Sequence, residues 1–423
     1  MRGEGPSPRA LLWSIFVFAL VVRLAVTAGT IGFSTPAAAE PASDSRIHMN
    51  LVQNLLNGHG FSYNGVPTAI TPPLYIFFLA GLYTLFGHPA PVRVVQAVLG
   101  AASCVLLYAT GRKMFNPATG LIAAVLLSMS PVLVYIGGLH LTENLFLPLL
   151  LLFLWLSTYV AERPTTISIA GLGVLLGLAA LTRAAFSAFL PFVLIWGVSL
   201  WGVRNPLAYR VYGLAALCAG LVIMPWTVRN FVALGAVVPV QSNSGMMFWA
   251  GNNPHAAGGW IWPGSETWTD GSPPDDGMYG WRGLTVAQDN QRYMRAAVSW
   301  IREHPRDYLA LLGRKLVRLY GFTRAEDGGT LQVSPAVVLF HMLFLVTAAA
   351  GVVLAVRQWR RCFLLLALVI FTNVTALLFS GGTRYTIPMI PSLTLFASVA
   401  LVTVGAHVLQ TVKPNALALG QLR

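Results

Sequence analysis

The residues of this chain that could do chemistry are few, and they stand at the ends of apolar segments. Asp44 lies in "ASDSRIHMNLVQNLLNGHGF", residues 42–61, a polar island between two hydrophobic regions. The spacing predicts a helix over 45–56 with Ser43 or Asp44 as its N-cap. Two roles are open to that carboxylate. It caps the helix, or it serves as a general base at a membrane edge, where low-dielectric surroundings raise a carboxyl pKa and favour that work. His48 falls one turn later on the same face, within reach of the carboxylate or of a substrate hydroxyl. Glu143, in "LHLTEN" beside His140 and Asn144, stands at a span end. An ionisable group facing the bundle there is a site candidate, which makes Asp44 and Glu143 the catalytic pair. Arg183 in "LTRAAF", Arg229 in "PWTVRN" and Arg384 in "GGTRYTIP" also occupy span ends. Such cations either snorkel to headgroups or neutralise a lipid-linked phosphate, whose oxygens match a guanidinium fork.

These groups are carried by a polytopic membrane protein. Of 423 residues, 56% are hydrophobic and 10% charged, against roughly 25% charged in soluble domains. Apolar segments near 11–29, 91–111, 118–137, 142–160, 166–182, 185–202, 210–231, 336–356, 361–379 and 385–409 are expected to span. Segment 71–87 is apolar but short after its Pro pair, so it reads as a helix in the outer interface. If it does not span, the cytoplasmic side gathers Arg2, Arg9, Arg112, Lys113, Arg163, Arg204, Arg210, Arg357, Arg360, Arg361, Lys413 and Arg423. Only Glu4 and Glu162 accompany them, as the positive-inside rule requires. The result is about ten transmembrane helices with both termini inside. The net charge of +13 is then a product of topology, and no nucleic-acid partner is needed.

Two outer connections follow, a first loop near 30–90 and a long loop near 232–335. All acids but Glu4 and Glu162 fall on that outer side: Glu40, Asp44, Glu143, and nine of the fourteen within the long loop. Helices are expected in the long loop near 284–303 and 305–320, the second amphipathic and basic enough to lie on a membrane surface. Asn243, Asn252 and Asn253 offer amides, and Trp249, Trp260 and Trp262 offer flat faces. These suit a sugar, or an interfacial aromatic belt. "TDGSPPDDG" lacks the spacing of a twelve-residue calcium loop. Cys104, Cys218 and Cys362 lie in apolar stretches without ligand spacing and read as buried small hydrophobes. There is no phosphate-cradling Gly-Lys-Ser/Thr loop and no nucleophile elbow. Gly171, Gly173 and Gly177 in "GLGVLLG" read as a close helix-packing stripe.

The order of these motifs resembles a known family. After a first span come an outer-loop Asp, "NLLNGHGF", "PTAITPPLY", "LFG" and "VRVVQAVLG". Then follow "LTENLF", "LTRAAF", "PWTVRNFVALGAVVPV", "GNNP" and "RYTIPMIP". The series is similar to the bacterial members of the dolichyl-phosphate-mannose:protein mannosyltransferase superfamily, the family 39 glycosyltransferases, relatives of the lipid A aminoarabinose transferases. The likeness covers about 10–400. It implies the all-α GT-C fold, two juxtamembrane helices in the first outer loop, and donors whose sugar is joined through phosphate to a polyprenol. Asp44 occupies the position of the family's catalytic loop-one Asp. A second acid often follows that Asp, but here Ser45 stands. Aminoarabinose transferases carry an acid and a Lys before the Pro pair, but here Ile70 and Thr71 precede Pro72.

The expectation is therefore a membrane glycosyltransferase domain over 1–409 with a cytoplasmic tail, 410–423. It works at the outer, periplasmic face of a bacterial cytoplasmic membrane. A hexosyl or pentosyl unit passes from a polyprenyl-phosphate-linked donor to a lipid, glycan or protein hydroxyl, with inversion. Asp44 and Glu143 are expected to be catalytic, and Arg183, Arg229 and Arg384 to hold the donor phosphate. His48, Tyr75, Asn252, Asn253 and Tyr385 are expected to contact substrate. No cofactor is expected and no metal ligands are assigned, since the first loop has no Asp-x-Asp pair for a divalent metal. The rival from another class is a transporter or flippase for a phosphorylated lipid, against which stands the absence of a convincing internal repeat.

Overall fold

The computed structural model describes residues 8–259, 286–321 and 335–420. Trp260, Trp262 and the segment 269–277 lie outside the described residues. The regular structure of the described chain is helical except for one hairpin of two two-residue strands. The helices are α1 (Pro8–Thr30), α2 (Ser43–Leu56), α3 (Pro73–Phe86), α4 (Pro89–Met114), α5 (Pro117–Ser128), α6 (Pro131–Ile136), α7 (Glu143–Glu162) and α8 (Thr166–Ala180). They continue with α9 (Leu190–Trp201), α10 (Pro206–Leu234), α11 (Ser244–Ala250), α12 (Val286–Glu303), α13 (Pro305–Tyr320), α14 (Pro335–Ala355), α15 (Trp359–Leu378) and α16 (Ile390–Gly420). Strand β1 (Ser62–Tyr63) pairs antiparallel with β2 (Val66–Pro67).

Apolar helical segments stand at every position where the sequence places a span. Among the described residues, seven stretches are long and apolar enough to cross a membrane, one of them containing both α14 and α15. α3, α5 and α8 are shorter. Three expected spans are interrupted, each beside a proline. Pro131 lacks the amide that would continue α5, so 118–137 divides into α5 and α6. The segments 185–202 and 385–409 open as 3-10 helices, Ala184–Phe189 and Thr383–Met389, with Pro191, Pro388 and Pro391 at or beside the transitions. The last helix continues past 409, to Gly420.

Local chemistry sets the remaining boundaries. Asn116 Oδ1 caps α5 through the Thr119 amide at 2.8 Å, and Thr165 with Ser168 forms a capping box on α8. Gly87 ends α3 at φ +64°, a left-handed conformation that a side chain resists. α3 packs against α2 and α4, and a small core of Leu51, Val52, Phe61, Tyr75, Ile76 and Leu79 fastens the first loop to the bundle.

The stripe in α8 works as its spacing suggests. A Cβ on Gly173 would meet Ala215 and Cys218 of α10, and one on Gly177 would meet Val222. Gly171 faces Leu156 of α7 instead. The two helices approach where only hydrogen fits. Gly173→Leu should force them apart and lower the melting temperature in detergent, at a cost of about 1–3 kcal/mol of overpacking. An unchanged melting temperature would contradict this contact.

Candidate active site

Asp44, Glu143, Arg183 and Arg384 converge. Arg384, in the 3-10 turn that opens the last span, lies between the two acids. Its Nη1 donates to Asp44 Oδ2 at 2.6 Å. Its Nε and Nη2 grip both oxygens of Glu143, at 2.5 and 3.0 Å. Arg183, just past the end of α8, adds Nη1 to Glu143 Oε1 at 2.9 Å. The side chain of Glu143 is 2% exposed, those of Arg183 and Arg384 are 18% and 25% exposed, and that of Asp44 is 36% exposed. The cluster thus has a buried floor, Glu143, and an accessible acid, Asp44.

The cap reading of Asp44 is corrected by this geometry. α2 begins at Ser43, with Ala42 as its flanking residue and no side-chain cap. Asp44 lies within the first turn and gives its carboxylate to Arg384. Burial alone would push this carboxyl up. The guanidinium beside it, by charge and hydrogen bond, with His48 assisting, outweighs burial and holds it below the ordinary value. A base held low is a weak one, so the raised pKa expected from sequence is not the state seen here. His48 does not bond to Asp44 either. It is buried, its Nδ1 lies 2.8 Å from the His140 carbonyl, and burial lowers its pKa.

The other expected contacts are distributed as follows. Arg229 stands apart from the acids. Its guanidinium donates to the carbonyls of Thr68 at 2.7 Å and Phe61 at 2.5 Å and lies over the Trp226 ring, so it braces the first loop. Tyr75 is buried and donates to Gln96 Oε1 at 2.7 Å. Asn252 and Asn253 are buried, with their amide groups donating to carbonyls of α11 and, for Asn252, of α15. These three side chains bond to groups within the protein. Tyr385 follows Arg384 and is half-buried.

The sequence reading missed the support beneath the site. Glu40, which the sequence marks only as one more acid, is fully buried between Arg93 and His140. Glu40 Oε1 lies 2.6 Å from Arg93 Nη2 and 2.6 Å from His140 Nδ1, and Oε2 accepts the His140 amide at 2.9 Å. Arg93 also donates to Gly138 O, Phe33 O and Thr35 O, and Gln96 donates to Gly137 O and Leu139 O. The turn 137–142 is thus gripped from α4 and from the first loop, which fixes Glu143 at the start of α7. The available signal was Arg93 itself, another arginine at the end of an apolar segment. Among the described residues no group of three or more His, Cys, Asp or Glu stands in a metal-holding arrangement.

Glu40 gives a pH signature. Burial would raise its carboxyl, but hydrogen bonds and charge from His140 outweigh that and hold it below the ordinary carboxylate value. A lowered folded pKa stabilises above the unfolded value and loses that contribution as pH falls through the folded value. The melting temperature should therefore drop as pH is lowered below about 4.5. Glu40→Gln should flatten that drop and cost about 3–5 kcal/mol at neutral pH by leaving Arg93 buried without its carboxylate. Equal melting of variant and wild type across this range would refute the role given to Glu40.

Residues 71–228 match the model of a family described as dolichyl-phosphate-mannose-protein mannosyltransferase. No curated protein matches the chain. Among solved structures, one similar fold is the archaeal oligosaccharyltransferase AglB from Archaeoglobus fulgidus in complex with an inhibitory peptide and a dolichol-phosphate. It has 14% identity and a TM-score of 0.55 over 96% of this chain and 52% of that one. Another is the Archaeoglobus fulgidus oligosaccharyltransferase tethered to an acceptor peptide containing the NVT sequon. It has 15% identity and a TM-score of 0.57 over 93% of this chain and 49% of that one. The chain spans about half the length of these structures, and at such identity the likeness shows the fold alone. The chain is a multi-pass membrane protein that shares the fold of these oligosaccharyltransferases.

Proposed function

We propose that this chain is a glycosyltransferase that moves a sugar from a polyprenyl-phosphate-linked donor to an acceptor hydroxyl. The observation that carries the reading is the meeting of an accessible carboxylate, Asp44, with two arginines anchored on the buried Glu143. The dolichol-phosphate in one structure of the same fold and the family pattern over 71–228 support a lipid-phosphate donor.

The reaction is a single displacement. Asp44 takes the proton of the acceptor hydroxyl as its oxygen attacks the anomeric carbon. The bond from that carbon to the phosphate oxygen breaks with its electron pair, and polyprenyl phosphate departs. Attack opposite the leaving group inverts the centre. The departing phosphate needs no strong acid, because Arg183 and Arg384 neutralise its charge. Glu143 keeps the two guanidinium groups in place. The donor has a second task, since its phosphate competes with Asp44 for Arg384. As it draws the cation away, the Asp44 carboxyl rises and becomes a better base. We place the site on the outer, periplasmic face of a bacterial cytoplasmic membrane, from the distribution of basic residues.

The test is sugar transfer by the purified chain from a set of polyprenyl-phosphate-linked hexoses and pentoses. Wild type should turn over at least one donor, and Asp44→Asn should lose roughly 10²- to 10⁴-fold of that rate while remaining monodisperse. Turnover preserved in a folded Asp44→Asn would move the base elsewhere.

A further inference from the structure

The turn that carries Arg384 is held from the opposite side by a residue far from the acids. Lys315, on α13 of the long outer connection, is fully buried. Its Nζ donates to Asn252 Oδ1 at 2.8 Å and to Leu377 O at 2.9 Å. Asn252 in turn donates to Phe248 O at 2.7 Å and Leu378 O at 2.8 Å. One buried amine thus ties α13, the segment after α11 and the end of α15 into a single knot. Among the described residues no carboxylate pairs with it, and burial alone lowers its pKa to about 7.

Three glycines bring backbone against backbone around this knot. A Cβ on Gly381 would strike the Lys315 backbone, and one on Gly251 would strike the Phe379 carbonyl. Gly258, at φ +98°, lies against Arg314 and Lys315, and its carbonyl accepts the Gly381 amide at 2.9 Å. Thr383 Oγ1 then donates to Gly321 O at 3.1 Å, just past the end of α13. Residues 379–384 are therefore pinned to the long connection on both sides of Gly382, and the next contact along the chain is Arg384 with Asp44 and Glu143.

We infer that Lys315 is a positioning residue, which sets from the long outer connection where Arg384 stands against the two acids. Its consequence for rate rests on the roles of Asp44 and Arg384 proposed above, whereas its consequence for the turn does not. The long connection is then part of the machinery that holds the donor-phosphate cation, because loosening α13 loosens the turn.

The experiment compares the full chain with Lys315→Met, which keeps volume and removes the donor, and with Asn252→Ala, a milder cut of the same knot should the first fail to fold. Peptide-resolved hydrogen exchange should rise about tenfold or more over 379–386 and stay unchanged over α2. The groups facing Asp44 are Arg384, His48 and Glu143. Displacing the first should raise the free-enzyme Asp44 pKa, so the acid limb of kcat/KM against pH should move up by roughly half a unit or more. A purely structural role would scale the profile down without shifting its limb, and with unchanged exchange over 379–386 that result would overturn the inference. A wild type that transfers no sugar from any donor would sink the proposed function, while exchange alone would still decide whether Lys315 holds the turn.

Discussion

The end of the bundle that carries the acids is arranged around one guanidinium held between two carboxylates. Asp44 and Glu143 bring two negative charges, and Arg183 and Arg384 bring two positive ones. Left unpaired near a membrane edge, any one of them would be costly to keep charged. Paired, they form a set whose formal charges cancel. The members come from α2, the starts of α7 and of the last span, and the segment just past α8, so the arrangement requires four parts of the chain to stand together within hydrogen-bond distances. Much of the surrounding structure can be understood as meeting that requirement. Glu40, Arg93 and Gln96 fix the turn before Glu143, Arg229 and Trp226 fix the first loop, and the glycine contacts fix the turn before Arg384.

The neutral set also imposes a constraint on chemistry. The group proposed as base and the group proposed to hold phosphate are bonded to each other at 2.6 Å, so the two proposed tasks compete for one contact. An anionic ligand that takes Arg384 would at once acquire a partner and release Asp44 from the charge that depresses its pKa. Glu143 is placed differently. It is nearly inaccessible and holds both oxygens against arginines, which suits an anchor and not a proton acceptor.

The fold was legible in the sequence because spans depend on runs of apolar residues, which are local. Asp44, Arg183 and Arg384 were legible because charged residues at the ends of apolar segments stand out in so apolar a chain. What was not legible is partnership. Nothing in "PAAAEPASD" marks Glu40 as the mate of an arginine on α4, and nothing in "GRKLVRLY" marks Lys315 as interior, since its neighbours make a convincing amphipathic surface helix. Asn252, Asn253 and Tyr75 invited a sugar-contact reading from residue type, but their partners lie within the protein. The broken spans followed prolines that were visible, yet proline tells where a helix is interrupted and not which groups the interruption brings together.

The most direct measurement of the central claim is the affinity of the purified chain for polyprenyl phosphate, without sugar or acceptor. If Arg384 is shared between Asp44 and a phosphate, removing the competing carboxylate must help the phosphate. Asp44→Asn should then bind polyprenyl phosphate more tightly than wild type, by about tenfold for about 1.4 kcal/mol of relieved competition, and Arg384→Gln should bind it more weakly. Weaker or equal binding by Asp44→Asn, with Arg384→Gln unchanged, would contradict the account, because the phosphate would then be held somewhere other than on the guanidinium between the two acids.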